Sequence, residues 1–152
     1  MADVIIGIGN DSRGDDGIGP RVAEAVPGRS GLETMAVQQL VPELAERLRT
    51  ADRVLFVDAR IDGTSIRLDR IGPEAHRGVG HSCSPESLLG WMQLAYGTVP
   101  EAWLLSVPGR SFGMGEGLSA SAEARIPDAM GRIETWLDGR GTPDPTDGEE
   151  VA

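Results

Sequence analysis

The chain has 152 residues, 39% of them hydrophobic and 25% charged, which suits one domain with a real core and is too short for two comfortable ones. Its formal net charge of −10, from 24 acids against 14 bases, argues against a nucleic-acid or anionic-membrane partner, because gripping phosphate takes clustered positive charge. A lone cysteine, Cys83, leaves no internal disulfide and no cysteine-rich zinc site, and no leader-like or membrane-length apolar run is visible, so the expected compartment is the cytoplasm.

In chain order, Val4-Ile5-Ile6-Gly7-Ile8-Gly9 is short, β-branched and apolar, and reads as a buried strand. After the loop from Asn10 to Gly14, Ile18, Val22, Ala25 and Val26 recur at helical spacing, with Gly28 placed to stop the helix. Glu33 to Val37 is a weaker strand. Pro42 suits a first helical turn, Leu44 and Leu48 fall one turn apart, and Glu43 stands four residues before Arg47, at pairing distance. Arg53 to Asp58 is the strongest strand signal: a continuous apolar run ending in one acid, as in the middle of a parallel sheet.

Thr64 to Arg70 alternates like a half-exposed edge strand, and Gly72 to Gly80 is a glycine-rich loop. Ser84-Pro85-Glu86 is a cap followed by proline at the first helical position, and Leu88, Leu89, Met92 and Tyr96 supply an apolar helix face. Trp103 to Val107 is a last strand, and Ala122, Ile126, Met130, Ile133 and Leu137 mark a final helix. Strands alternating with helices predict a three-layer αβα sandwich over residues 1–138, with a mostly parallel twisted sheet of about five strands. Residues 139–152, with Asp144, Asp147, Glu149 and Glu150, predict an acidic Gly/Pro-rich disordered tail.

Ligands of open α/β sheets collect beyond the carboxyl ends of the strands. The loop after the first strand brings Asp15 and Asp16 there, the central strand brings Asp58, and a third loop carries His81. Oxygen and imidazole together suit a borderline divalent metal such as nickel or zinc. Each residue also has a plainer reading. An acid at a helix start stabilises the positive dipole end by about 0.3–1 kcal/mol, which explains at least one of Asp15 and Asp16. Asp58 could cap the next segment, and His81 could be an ordinary loop histidine.

The run Gly7-x-Gly9-Asn10-x-x-x-Gly14-Asp15-Asp16-Gly17-x-Gly19 resembles the signature of [NiFe]-hydrogenase maturation peptidases. Further stretches agree in order: Gln39-Leu40-Val41-Pro42-Glu43-Leu44-Ala45, Val54-Leu55-Phe56-Val57-Asp58-Ala59, His81 with Ser84-Pro85 and Leu88-Leu89, and Gly115-Glu116-x-Leu118-Ser119. The resemblance spans residues 4 to 137. It implies an endopeptidase that trims the C-terminal extension of the hydrogenase large-subunit precursor after nickel insertion. Asp16, Asp58 and His81 fall on the family's catalytic, metal-contacting positions. The nickel would be carried by the substrate rather than held tightly, and another divalent metal could occupy the same ligands. Arg13, Gln39, Leu40 and the 110–118 loop are the expected recognition surface, on a monomer. Asp16 stands where some relatives carry Glu, and Asp11 replaces a commonly apolar residue; these departures bear on substrate and branch. The alternative within the same fold is a non-catalytic nickel-dependent binding module or chaperone.

Three rival motifs are weaker. A dinucleotide site needs a third glycine where Ser12 stands, and positive potential where Asp15 and Asp16 stand. Gly109-Arg110-Ser111-Phe112-Gly113 fits a nucleophile elbow, but the glycine-rich residues after it do not begin a helix, and both histidines, His76 and His81, precede the serine. Cys83 near His81 suggests a thiol nucleophile, yet a small apolar filler is the commoner role.

Overall fold

A computed structural model describes residues 2–74, 83–115 and 117–139. Five strands, β1 (Ala2–Ile8), β2 (Leu32–Val37), β3 (Ala51–Arg60), β4 (Arg67–Ile71) and β5 (Glu101–Pro108), form one sheet in the order β2-β1-β3-β5-β4. All neighbours run parallel except β4, which pairs antiparallel with β5 at the edge. Helices α1 (Ile18–Ala25), α2 (Leu44–Leu48), α3 (Pro85–Tyr96) and α4 (Ala120–Asp138) complete the three layers. Among the described residues no helix is long and apolar enough to cross a membrane.

The central strand shows why the sheet needs cover on both sides. Leu55 and Val57 face one core with Ile18 and Val22 of α1 and Ile133 and Trp136 of α4. Val54 and Phe56 face the other, with Leu48 of α2 and Leu88, Leu89 and Met92 of α3. Alternate residues of one apolar run therefore fill opposite layers, so the run has no polar positions. Full burial of each such side chain stabilises the fold by about 1.5–3 kcal/mol.

The local signals explain most ends. Ser84 accepts the N–H of Ser87 and caps α3, which closes at Gly97 with φ 75°. Three details differ from the sequence reading. Helix α1 stops at Val26, which is extended, because Pro27 disfavours a helical predecessor; Gly28 is not the stop. Arg47 reaches Glu33 on β2, where it forms an ion pair in place of the expected one with Glu43. Strand β4 begins at Arg67, after the buried Ile66, rather than at Thr64. The proposed tail, from residue 140 on, and part of the Gly72–Gly80 loop lie outside the described residues.

Candidate functional site

The chain leaving β1 passes through α1 to β2 on one side of it, while the chain leaving β3 runs the other way along the sheet, past β5 to the edge strand β4. Their departure in opposite directions opens a crevice between the carboxyl ends of β1 and β3, the place where open parallel sheets bind ligands. Close packing shapes its floor. A Cβ on Gly19 would lie 2.3 Å from the Ile8 carbonyl oxygen and 2.5 Å from that of Val57, so only glycine lets the start of α1 rest on both strands. Gly9, at φ 148°, admits the Asp16 carbonyl oxygen, 1.8 Å from where a Cβ would stand.

That packing delivers two acids to one crevice. Asp16 sits in a single 3-10 turn, Gly14–Gly17, directly before α1, and its Oδ2 accepts the Asn10 N–H at 2.7 Å. Asp58 lies on β3 in register with Ile8 of β1, and its Oδ1 accepts the Ala59 N–H at 2.8 Å. Both are half-buried, neither sealed from solvent. Burial pushes the Asp58 carboxyl up to about 6; the Ala59 hydrogen bond opposes this, and the negative charge of Asp16 adds to it. A half-buried carboxyl whose ionisation is opposed by burial and by a neighbouring acid is a natural place for a cation, since a divalent ion would relieve both. Among the described residues no group of three histidine, cysteine or acidic side chains is arranged for a metal. His81, the expected third ligand, lies outside the described residues, as does His76.

Asp15 has a different role from its neighbour. Its side chain is 0% exposed and accepts four hydrogen bonds: Arg110 N–H at 2.7 Å, Ser111 N–H at 3.1 Å, Ser119 N–H at 2.7 Å and Ser119 Oγ at 2.7 Å. Burial alone would raise its pKa, but these donors together outweigh that and hold the carboxyl below its ordinary 3.8. Asp15 thereby ties the loop after β1 to the loop after β5. Spacing alone does not tell the two aspartates apart, although the family resemblance points to Asp16 for the site; the donors that make Asp15 structural, from Arg110, Ser111 and Ser119, are invisible without the fold. Arg60 is a second unforeseen fastening: it donates to Ser106 Oγ at 2.9 Å, the Asp62 carbonyl at 2.9 Å and the Ser65 carbonyl at 2.6 Å.

Of the expected recognition residues, Arg13 and Gln39 are exposed, and Arg13 Nε donates to Met114 Sδ at 3.3 Å. Leu40 is a correction: its side chain is 1% exposed, packed in the core between the sheet and helices α2 and α3, because the chain turns inward there to bridge Cys83. It has no side-chain surface to offer a partner. The rival motifs also meet specific obstacles. Among the described residues between Pro108 and Ala120 no helix follows Ser111 to make an elbow, and the Ser111 backbone instead serves Asp15. The Cys83 Sγ faces the Leu40 carbonyl at 3.7 Å, and burial raises its pKa, against a thiolate nucleophile. A cavity of about 360 Å³, lined by Asp3, Arg29, Asp52 and Arg53, opens at the amino ends of the strands, away from the acids.

The fold and crevice define a three-layer α/β protein with paired acids at the switch point of a mostly parallel sheet. Solved structures share this fold. The hydrogenase maturating endopeptidase HybD from E. coli superposes with a TM-score of 0.72 at 20% identity, covering 91% of this chain and 94% of that one. The [NiFe] hydrogenase maturation protease HycI from Thermococcus kodakarensis KOD1 gives 0.70 at 24%, covering 91% and 93%. The endopeptidase HycI from Escherichia coli gives 0.69 at 22%, covering 95% and 97%. No protein-family model and no curated sequence matches the chain. At these identities the likeness establishes the fold, in agreement with the αβα sandwich that the alternation of strands and helices predicts.

Proposed function

We propose that this protein is an endopeptidase that removes the C-terminal extension of a [NiFe]-hydrogenase large-subunit precursor after nickel insertion. Asp16, Asp58 and His81 would close around the nickel that the precursor carries. The observation that carries the reading is the half-buried pair Asp16 and Asp58, delivered by separate elements to one crevice, with the ionisation of Asp58 opposed by burial and by Asp16. The shared fold with solved maturation proteases supports the reaction class.

The physical logic of nickel dependence follows from that pair. Without a cation, Asp58 holds a proton up to about pH 6 and the two side chains have no shared counter-charge. A client-borne dication supplies it and fixes the client chain against the crevice, so that orientation and metal arrive together. Amide hydrolysis adds water at the carbonyl carbon, breaks the C–N bond and leaves a proton on the departing amine. Activation of the water by the ion or by a carboxylate, and polarisation of the carbonyl by the ion, are each compatible with this crevice. Arg13 and Gln39, exposed beside it, are the proposed recognition residues.

The test is incubation with nickel-loaded and nickel-free precursor, read by intact-mass spectrometry. Loss of the C-terminal extension only from the nickel-loaded form supports the proposal. A stable complex without trimming would identify a binding module or chaperone instead.

A further inference from the structure

Of the two acids, Asp58 is held by a regular element: it lies within β3, and the N–H it binds belongs to the next residue of the same strand. Asp16 has no such support. It sits in a single 3-10 turn of four residues, and Arg13 at the head of that turn makes no side-chain cap. What fixes Asp16 is a ring of hydrogen bonds that begins and ends at Asn10. The Arg13 N–H donates to the Asn10 carbonyl at 3.0 Å, the Asp16 N–H to the Arg13 carbonyl at 3.1 Å, and the Asn10 N–H to Asp16 Oδ2 at 2.7 Å.

The Asn10 side chain braces that ring. Its Oδ1 accepts the Ser12 N–H at 2.9 Å, so the tight turn from Asn10 to Arg13 is closed by a side chain as well as by the backbone. Asp11 and Ser12 stand in the middle of the turn, and neither presets the backbone as glycine or proline would. The surroundings are anchored. The Gly9 N–H donates to the Val37 carbonyl at 2.9 Å, the Gly115 N–H to the Ser12 carbonyl at 2.8 Å, and a Cβ on Gly17 would stand 2.9 Å from the Asp11 Cα. The soft joint in this frame is the turn that Asn10 Oδ1 holds. Asp16 Oδ2 is committed to the ring, whereas Oδ1 accepts no hydrogen bond among the described residues and is the oxygen left for a ligand.

We infer that Asn10 is a positioning residue for the proposed reaction: through its side-chain turn and its N–H it aims the free oxygen of Asp16 at the client-borne ion. The inference deepens the proposed function and rests on it. Asn10 touches neither the client nor the ion in this role, so its whole effect passes through Asp16. Holding one oxygen and freeing the other keeps the carboxylate from swinging between alternatives, which is how a positioned group lowers a barrier without binding more tightly.

The test uses the full chain and nickel-loaded large-subunit precursor, with Asn10→Ala, which removes the acceptor for Ser12, and Asn10→Ser, which puts a neutral hydroxyl acceptor in its place. Asn10→Ala should keep the wild-type circular dichroism spectrum and lower kcat/KM about tenfold, less than the roughly hundredfold that a 1 Å misplacement can cost. Asn10→Ser should recover most of that loss. A purely structural role would not give the next result. Asn10→Ala should weaken the Kd for the precursor about fivefold in the wild-type background and less than about twofold in the Asp16→Ala background. Equal weakening in both backgrounds, or wild-type kcat/KM in Asn10→Ala, would overturn the inference. Should the wild type bind the precursor without cutting it, the function reading fails by itself, and the Kd comparison still decides the role of Asn10. Absence of any binding would overturn both.

Discussion

Replacing Asp15 by asparagine probes the fastening between the two loops that frame the crevice. Asparagine keeps one acceptor oxygen, which is best placed where Oδ2 now receives Arg110, Ser111 and the Ser119 hydroxyl. The amide nitrogen then faces the Ser119 N–H, which now donates to Oδ1 at 2.7 Å. That donor–donor encounter leaves a buried N–H unpaired, at a cost of about 1–3 kcal/mol. The three retained bonds fall from charge-assisted to neutral, losing about 1 kcal/mol each, while relief from burying a charge returns part of the loss. The net expectation is a destabilisation of about 2–4 kcal/mol, or a midpoint lower by roughly 5–15 °C for a domain of this size. Urea denaturation monitored by circular dichroism measures it. The pH dependence supplies a second check. Because the folded carboxyl titrates below its ordinary 3.8, its contribution is full above that value, shrinks below it, and is lost as the pH falls through the folded value. The gap between wild type and Asp15→Asn should therefore close in acid. A gap below about 0.5 kcal/mol at neutral pH would refute the role assigned to Asp15, as would one that persists unchanged in acid.

Asp58 has the opposite sign. A carboxyl raised from 3.8 to about 6 destabilises the fold increasingly between those values and fully above them. Asp58→Asn should therefore stabilise the metal-free protein at pH 7.5 by up to about 3 kcal/mol, and Asp16→Asn should lower the Asp58 midpoint in a carboxyl-carbon NMR titration. Gly19→Ala should cost about 1–3 kcal/mol in denaturant and also impair processing, since its Cβ would meet the Ile8 and Val57 carbonyls that floor the crevice; unaltered stability would contradict that contact. Cys83→Ala should keep precursor trimming within about twofold in an end-point gel assay, and complete loss would return the thiol to the mechanism.

How much the sequence disclosed depended on the range of the interaction. Val54 to Val57 announced a doubly covered strand because both cores draw on consecutive residues of one run. Ser84-Pro85 announced a helix start because a cap is complete within four residues. Asp16 and Asp58 were legible as strand-end acids, although their shared crevice needed the β1–β3 register. The partners of Asp15 and Arg60 lie in distant segments or in backbone carbonyls, and no local pattern marks them. Arg47 chose Glu33 across the fold over its helical neighbour, and Leu40 turned inward to reach Cys83. In both, a tertiary contact displaced the local expectation.

The decisive measurement is processing of nickel-loaded precursor by the wild type beside Asp16→Asn, Asp58→Asn and His81→Ala, followed by mass over time, with circular dichroism confirming intact folds. The account predicts release of the C-terminal extension by the wild type alone. Trimming at the wild-type rate by any of the three would contradict it.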